Sequence, residues 1–381
     1  MRYRLSIPAR INILGNPGDA NEGDFATVSA AVEMRAGALI EPAEGLVLEA
    51  LQRPEGAPKQ RLVLPRVTLP LDYTSELDLL KGAINGLSAF SPEFRHKFAP
   101  QAGVRIATWS DVPRQSGLGG SSLFILLVLA GLRQFYDLDR RTHNDYILAE
   151  LTQRVEAKEL GITCGFADRY VPLFGGLAYL DYRGKLHQRP IRQEPLVTYE
   201  RLDAWAMDLP LVAITTGIRH DSGDVHGRMR PRYVAEWDAW SLQGGNPPEL
   251  VRLMSAAWET AWRGKIALLE GDLEAFGALM NENHRLVNDM MASCGFHDGA
   301  GWANNLFIEV ARNSGALGAK LTGAGSGGSV FALTRPGEEQ KLVEAWRRAA
   351  DQAGLQAAHI FRPQIARQGL VVEAINTKEV R

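Results

Sequence analysis

Apolar and polar positions change rhythm several times along the chain, and those changes mark its elements. Residues 3–14 are apolar and β-branched and predict a strand, which runs into GNPGDANEGD at 15–24, a loop dense in turn formers. Strand-like runs at 36–40, 46–51 and 61–67 are interrupted by Pro, Gly and charge, which predicts an antiparallel sheet of hairpins. Helical spacing appears at 76–90, and 104–110 reads as a further strand. A glycine loop then meets LFILLVLAGL, residues 123–132, a core helix. Further helices are predicted at 142–160, with Thr142 as N-cap, and at 248–291, 301–313 and 338–353. Strands are predicted at 178–182, 211–215, 330–333 and 369–374. This alternation, without a fixed-period repeat, points to α+β in both halves. The charged, proline-containing stretch 183–208 places a boundary near 190, giving domains 1–190 and 191–381.

Composition narrows the function classes. The 381 residues exceed one compact core, and 45% hydrophobic against 23% charged excludes disorder. A net charge of −2 gives no polybasic surface for nucleic acid or a membrane. The apolar stretch at 123–132 is too short for a bilayer span, which needs about twenty residues, and MRYRLSIPAR lacks the apolar core of a signal peptide. Cys164 and Cys294 are too few for a disulfide framework or a four-cysteine zinc site. The expectation is a soluble, cytoplasmic protein, monomer or homodimer, whose partner is a small molecule.

Three loops carry candidate chemistry. Gly117-Leu118-Gly119-Gly120-Ser121-Ser122 opens directly into a helix. Glycines let backbone approach an anion, the helix start offers unpaired N–H groups, and the serines add hydroxyls. No lysine follows as in GxxxxGK[ST], and no dinucleotide fingerprint is present. TGAGSGGS at 322–329 has more glycines than a turn requires. PARINILGNPGD at 8–19 leads from a cation on a strand into a loop with Asn and Asp.

Together and in this order, the three loops resemble those of the galactokinase, homoserine kinase, mevalonate kinase and phosphomevalonate kinase (GHMP) family, over nearly the whole chain. PRQSGLGGSS resembles the family's Pro-x-x-x-Gly-Leu-Gly-Ser-Ser loop, with an extra glycine at Gly120. Leu123 and Phe124 follow where the family often has Ala. The resemblance implies a two-domain α+β fold, with an N-terminal ribosomal-protein-S5-like, ATP-binding domain and a C-terminal ferredoxin-like α/β domain. RINILGNPGDA, DVPRQSGLGGSS, AKELGITCGFADRYVPLFGGLAYLD and HDSGDVHGRMRPR resemble the glucuronokinases of that family, which phosphorylate a uronic acid at its anomeric oxygen.

The same resemblance implies roles and cofactors, ATP and Mg2+. Gly117 through Ser122 would surround the phosphates, and Ser122 with Glu156 would hold the metal; Glu159, one turn on, competes for that role. Asp168 would take or orient the proton of the attacking hydroxyl, the alternative being a helix cap. Arg10 would stand near the acceptor oxygen, the alternative being a surface ion pair. Asn16, Asp19 and Asn21, with Asp168, Gly325 and Ser326, would face the acceptor. A uronic acid also needs a cation, and Arg114, Arg169, Arg219, Arg228, Arg230 and Arg232 all qualify. His220, His226, His284 and His297 lack zincin-like spacing, and only His226 is a candidate ligand contact. Galactose, heptose or polyol kinases of the family are alternatives, as is a non-catalytic sensor on the same fold. Retention of Asp168, Glu156 and the serine pair disfavours the sensor.

Overall fold

The computed structural model describes residues 1–21, 25–74, 77–98, 103–113, 116–206, 208–218 and 222–375. The strands are, in chain order, β1 (Arg2–Leu14), β2 (Ala26–Pro42), β3 (Leu46–Leu51), β4 (Pro58–Leu64), β5 (Val104–Ser110), β6 (Leu177–Asp181), β7 (Thr198–Arg201), β8 (Leu211–Thr215), β9 (Gly318–Thr322), β10 (Ser329–Leu333), β11 (His359–Phe361) and β12 (Val371–Ile375). The larger sheet runs β12-β1-β2-β5-β3-β4, with β6 on β2 and β7 on β6; the smaller runs β11-β8-β10-β9. The final strand thus returns to the first sheet.

β2 is much longer than the predicted 36–40 run. Its first part pairs with β6 and its second with β5. Residues Ala26 to Val32 are all buried, so the sequence there lacks the alternation that betrays a half-exposed strand. The larger sheet is not all hairpins, because β3 and β5 pair in parallel. The chain crosses between them through helices Asp78–Phe90 and Pro92–Lys97.

β1 places the first catalytic candidate. Its ladder with β12 ends at Ser6, and its register with β2 shifts between Pro8 and Ala9. Pro8 has no N–H to give, so an irregular ladder there costs little. Beyond it every residue to Leu14 is buried, Arg10 and Asn12 included.

Two predicted helices change shape. The 142–160 segment is a helix over Asp145–Arg154, then one π-helical turn, Val155–Glu159. Its cap is Asn144, which accepts from the Ile147 N–H at 3.0 Å, while the Thr142 hydroxyl donates to the Asp139 carbonyl. The 248–291 segment is two helices, Glu249–Glu270 and Leu273–Ser293, broken at left-handed Gly271 (φ 71°) and recapped by Asp272. A further helix, Ser222–Gln243, carries Pro231 inside it and is absent from the predicted elements. One core runs from β1 and helix Gly120–Phe135 to Phe276 and Phe331, so the two halves share packing. No helix among the described residues is long and apolar enough to cross a membrane.

Candidate active site

Helix Gly120–Phe135 starts after a left-handed Gly119 (φ 83°) whose position supplies no side-chain cap. No cap side chain therefore covers the N–H groups of its first turn, the arrangement that receives anions. Ser121 and Ser122 turn their hydroxyls onto one carboxylate, donating to Glu156 Oε1 at 2.8 Å and Oε2 at 2.9 Å. Glu156 is buried within the π-helical turn, a distortion that often marks functional sites. Glu159 is exposed and accepts from the Tyr73 hydroxyl at 3.1 Å. Of the two candidate carboxylates, only Glu156 meets the serines.

Arg169 is the neighbour that sequence reasoning misplaced, having counted it among cations for a substrate. Its guanidinium pairs with Glu156 Oε2, donates to the Gly165 carbonyl at 2.8 Å and lies 3.7 Å from Asp168 Oδ2. Both partners of the Arg169–Glu156 pair are almost wholly buried, so its rupture would leave an uncompensated charge.

Asp168 lies in the first turn of helix Ala167–Phe174, but the cap position is Phe166. The buried Arg10 donates from Nε to Asp168 Oδ1 at 2.5 Å and from a terminal nitrogen to the Gly117 carbonyl at 2.5 Å. One guanidinium thus joins the carboxylate to the phosphate-type loop, and it is no surface ion pair. Burial alone would raise the Asp168 pKa; the charges of Arg10 and Arg169, with the Arg10 hydrogen bond, outweigh it and hold the carboxyl below its usual range.

Asp19 is the opposite case. It is buried, and desolvation followed by the Asp168 charge raises its pKa, against a hydrogen bond from the Ala167 N–H at 3.2 Å. Gly165 makes room for it, since a Cβ there would fall 2.3 Å from Asp19 Oδ2.

Lys320 is a site residue that sequence reasoning missed. It lies on β9, fully buried, and donates to Asn16 Oδ1 at 2.5 Å and to the carbonyls of Asn12 at 3.3 Å and Leu321 at 3.0 Å. Burial drives its pKa well down; the nearby Asp19 charge acts the other way. The available signal was a lone lysine in GAKLTGAGSGGSVFAL, where every other strand position is small or apolar. The Thr322 hydroxyl accepts from the Asn12 N–H at 3.1 Å, tying β1 to the third loop.

That loop touches the first glycine loop backbone to backbone. A Cβ on Gly323 would lie 2.9 Å from Gly117 Cα, and one on Gly117 2.6 Å from the Thr322 carbonyl oxygen. Gly325 packs on Met291, while Ser326, left-handed at φ 59°, borders a cavity of about 310 Å³ with Phe296, His297 and Trp302. Arg114, Arg219 and His220 lie outside the described residues, as does the Asn21 side chain. His284 bonds Asn305 and is held neutral by burial, its pKa down to about 4.

The oxygen donors of Ser121, Ser122 and Glu156 fit a hard cation that keeps waters and phosphate oxygens as its remaining ligands. Among the described residues, no cluster of three or more His, Cys, Asp and Glu forms a closed metal cage.

Residues 78–176 match the family profile "GHMP kinases N terminal domain", and residues 303–352 match "GHMP kinases C terminal". Probable glucuronokinase 2 of Arabidopsis thaliana is 30% identical over 350 residues, spanning 90% of this chain and 87% of that protein. Galactokinase of Thermococcus kodakarensis is 27% identical, with 89% and 91% spanned. Among solved structures, Lactococcus lactis galactokinase complexed with galactose superposes with a TM-score of 0.76 at 20% identity, over 97% of this chain and 95% of that one.

Proposed function

The chain belongs to the GHMP kinase family, and from that premise we propose that it transfers the γ-phosphate of ATP to the anomeric hydroxyl of a uronic acid. The observation that supports catalysis most directly is Arg10, bonded at once to Asp168 and to the Gly117 carbonyl. It sets the group that meets the acceptor hydroxyl at a fixed place relative to the phosphate loop. Such positioning is the main demand of phosphoryl transfer.

Asp168 is ionised throughout the neutral range, because Arg10 and Arg169 overcome its burial. A carboxylate of lowered pKa is a weak base, yet a loose transition state asks little activation of the attacking oxygen. Asp168 therefore orients the hydroxyl and takes its proton late. Asp19, buried in the first loop, is the second carboxylate on the acceptor side and would meet a sugar hydroxyl. Gly117 to Ser122 and the helix start they form receive the phosphates, with Ser122 and Glu156 as the ligands for Mg2+. Bound there, Mg2+ would neutralise phosphate charge as it moves to the leaving oxygen.

The uronic acid rests on the similarity to glucuronokinases. Similarity to galactokinases favours a second reading, a neutral hexose acceptor. Turnover with glucuronate, glucose, galactose and heptoses decides between them, and the phosphorus signal of the product identifies an anomeric phosphate. The uronic acid reading expects glucuronate to exceed glucose and galactose in kcat/KM by at least about tenfold. A neutral sugar that outperforms every uronic acid overturns it.

A further inference from the structure

Lys320 is a fully buried cation that the phosphoryl transfer does not itself use. Its amine meets three neutral oxygens: Asn16 Oδ1 at 2.5 Å, the Leu321 carbonyl at 3.0 Å and the Asn12 carbonyl at 3.3 Å. An ammonium has three N–H donors and no acceptor, so three oxygens satisfy it in full; a neutral amine would turn its lone pair on one of them. A methionine would fill the same space without burying a charge. The amine differs from it in what it holds.

What it holds is the middle of one stretch of chain. Residues 10–19 meet the Asp168 helix at both ends. Arg10 donates to Asp168 Oδ1 at 2.5 Å, and Asp19 Oδ2 accepts at 3.2 Å from the N–H of Ala167, the residue before Asp168. Lys320 bonds this stretch at Asn12 and Asn16, between those two ends. Thr322, on the same strand as Lys320, accepts from the Asn12 N–H at 3.1 Å, and Asn283 donates to the Asn16 carbonyl at 3.3 Å. Beyond Asn16 the chain turns tightly into Asp19, with the Gly18 N–H on the Gly15 carbonyl and the Ala20 N–H on the Pro17 carbonyl, both at 3.0 Å. So compact a turn passes a shift at Asn16 on to Asp19.

Lys320 also decides which way the Asn16 amide faces. An ammonium accepts nothing, so only Oδ1 can meet it and Nδ2 must point elsewhere. Nδ2 is buried and has no hydrogen-bond partner among the described residues. A buried donor without a partner is costly until an oxygen reaches it, and a sugar offers oxygens.

We propose that Lys320 is a positioning residue for the acceptor: it fixes the turn that carries Asp19 and holds the Asn16 amide with Nδ2 left to donate to an acceptor oxygen. The assignment rests on the reading in which residues 16–19 face the acceptor, and it does not depend on which sugar that is.

The full chain, its Lys320→Met, Lys320→Arg and Asn16→Ala variants and the Lys320→Met/Asn16→Ala double variant are assayed with ATP and glucuronate, glucose or galactose, with thermal melts to confirm folding. Lys320→Met is expected to raise KM for the best of these sugars about tenfold or more and to lower kcat, while KM for ATP stays within about twofold. Lys320→Arg keeps the charge and the donors and recovers part of the loss. Because Lys320 acts through Asn16, the double variant should fall within about twofold of the worse single variant, far short of the product of the two effects. A folded Lys320→Met variant with altered Tm but unchanged KM and kcat makes Lys320 a structural residue and overturns the assignment, while the kinase reading stands. Effects that multiply in the double variant, or a KM for ATP that rises with that for the sugar, overturn it as well. Where Lys320→Met does not fold, Lys320→Arg and Asn16→Ala are read in the same way: a raised sugar KM at constant KM for ATP supports the assignment, and unchanged values overturn it. A wild type that prefers a neutral sugar overturns the uronic acid reading alone, and one that turns over none of the three overturns both.

Discussion

The phosphate side and the acceptor side of this site are built in opposite ways. On the phosphate side, Ser121 meets Glu156 across 35 residues and Glu156 meets Arg169 across 13, all within the first half of the chain. On the acceptor side, Lys320 reaches Asn16 across 304 residues and Thr322 reaches Asn12 across 310. The charge logic differs as well. Glu156 has a buried counter-ion in contact, whereas Lys320 donates to neutral oxygens and the Asp168 charge works against the ionised Asp19. The cluster of Ser121, Glu156 and Arg169 draws on the first half of the chain, whereas the Lys320–Asn16 and Thr322–Asn12 contacts join the two halves.

The comparison breaks most visibly at Asp168, where the two sides meet through Arg10. Asp168→Asn is expected to cut kcat by about 10²–10⁴-fold while nucleotide binding persists, read by turnover and by ATP titration of the folded variant. Near-wild-type turnover would remove Asp168 from the mechanism. A smaller effect is expected on the phosphate side alone. Glu156→Gln should lower activity by about tenfold or more, raise the Mg2+ requirement and lower Tm, since Arg169 loses its buried partner. Ser122→Ala should shift the Mg2+ curve in the same direction by less, and Glu159→Gln should leave it unmoved. A shift with Glu159→Gln alone would place the metal one turn further on.

The smallest effect sharpens the contrast on the acceptor side. With its pKa raised in the fold, Asp19 binds more protons in the native than in the unfolded chain above its ordinary value of 3.8. Its contribution therefore falls as pH rises through the window from 3.8 to its native pKa, and above that window the ionised form weighs against folding. Asp19→Asn should melt slightly higher than wild type at pH 8, an advantage that fades toward pH 4. Denaturant melts across that range check it; a variant less stable at pH 8 would show that Asp19 is ionised without penalty.

The phosphate side was also the legible side. Glycine clusters and adjacent serines announce a phosphate loop locally, Asp168 sits in a stretch that resembles the family, and Glu156 lies on the helix just before it. What stayed hidden depends on long-range packing or on a local irregularity. Nothing near Lys320 in sequence tells that its amine ends beside Asn16. The π-helical turn that carries Glu156 is one extra residue in a helical pattern, invisible to a period of 3.6. Arg169 looked like a free cation because Glu156, its partner, lies across a turn and a loop. Pro231 masked the helix that presents Arg230, and full burial erased the alternation of β2.

The contact between Gly117 and Gly323 gives the site a seam with no slack. Gly117 fills the space that a side chain on Gly323 would require, and the Thr322 carbonyl fills the space that one on Gly117 would require. An alanine at either position would act as a wedge, prying the two halves apart at the line where they meet. The two loops are in effect one mechanical part, and anyone redesigning the phosphate loop for another donor would have to rebuild the loop across the seam with it.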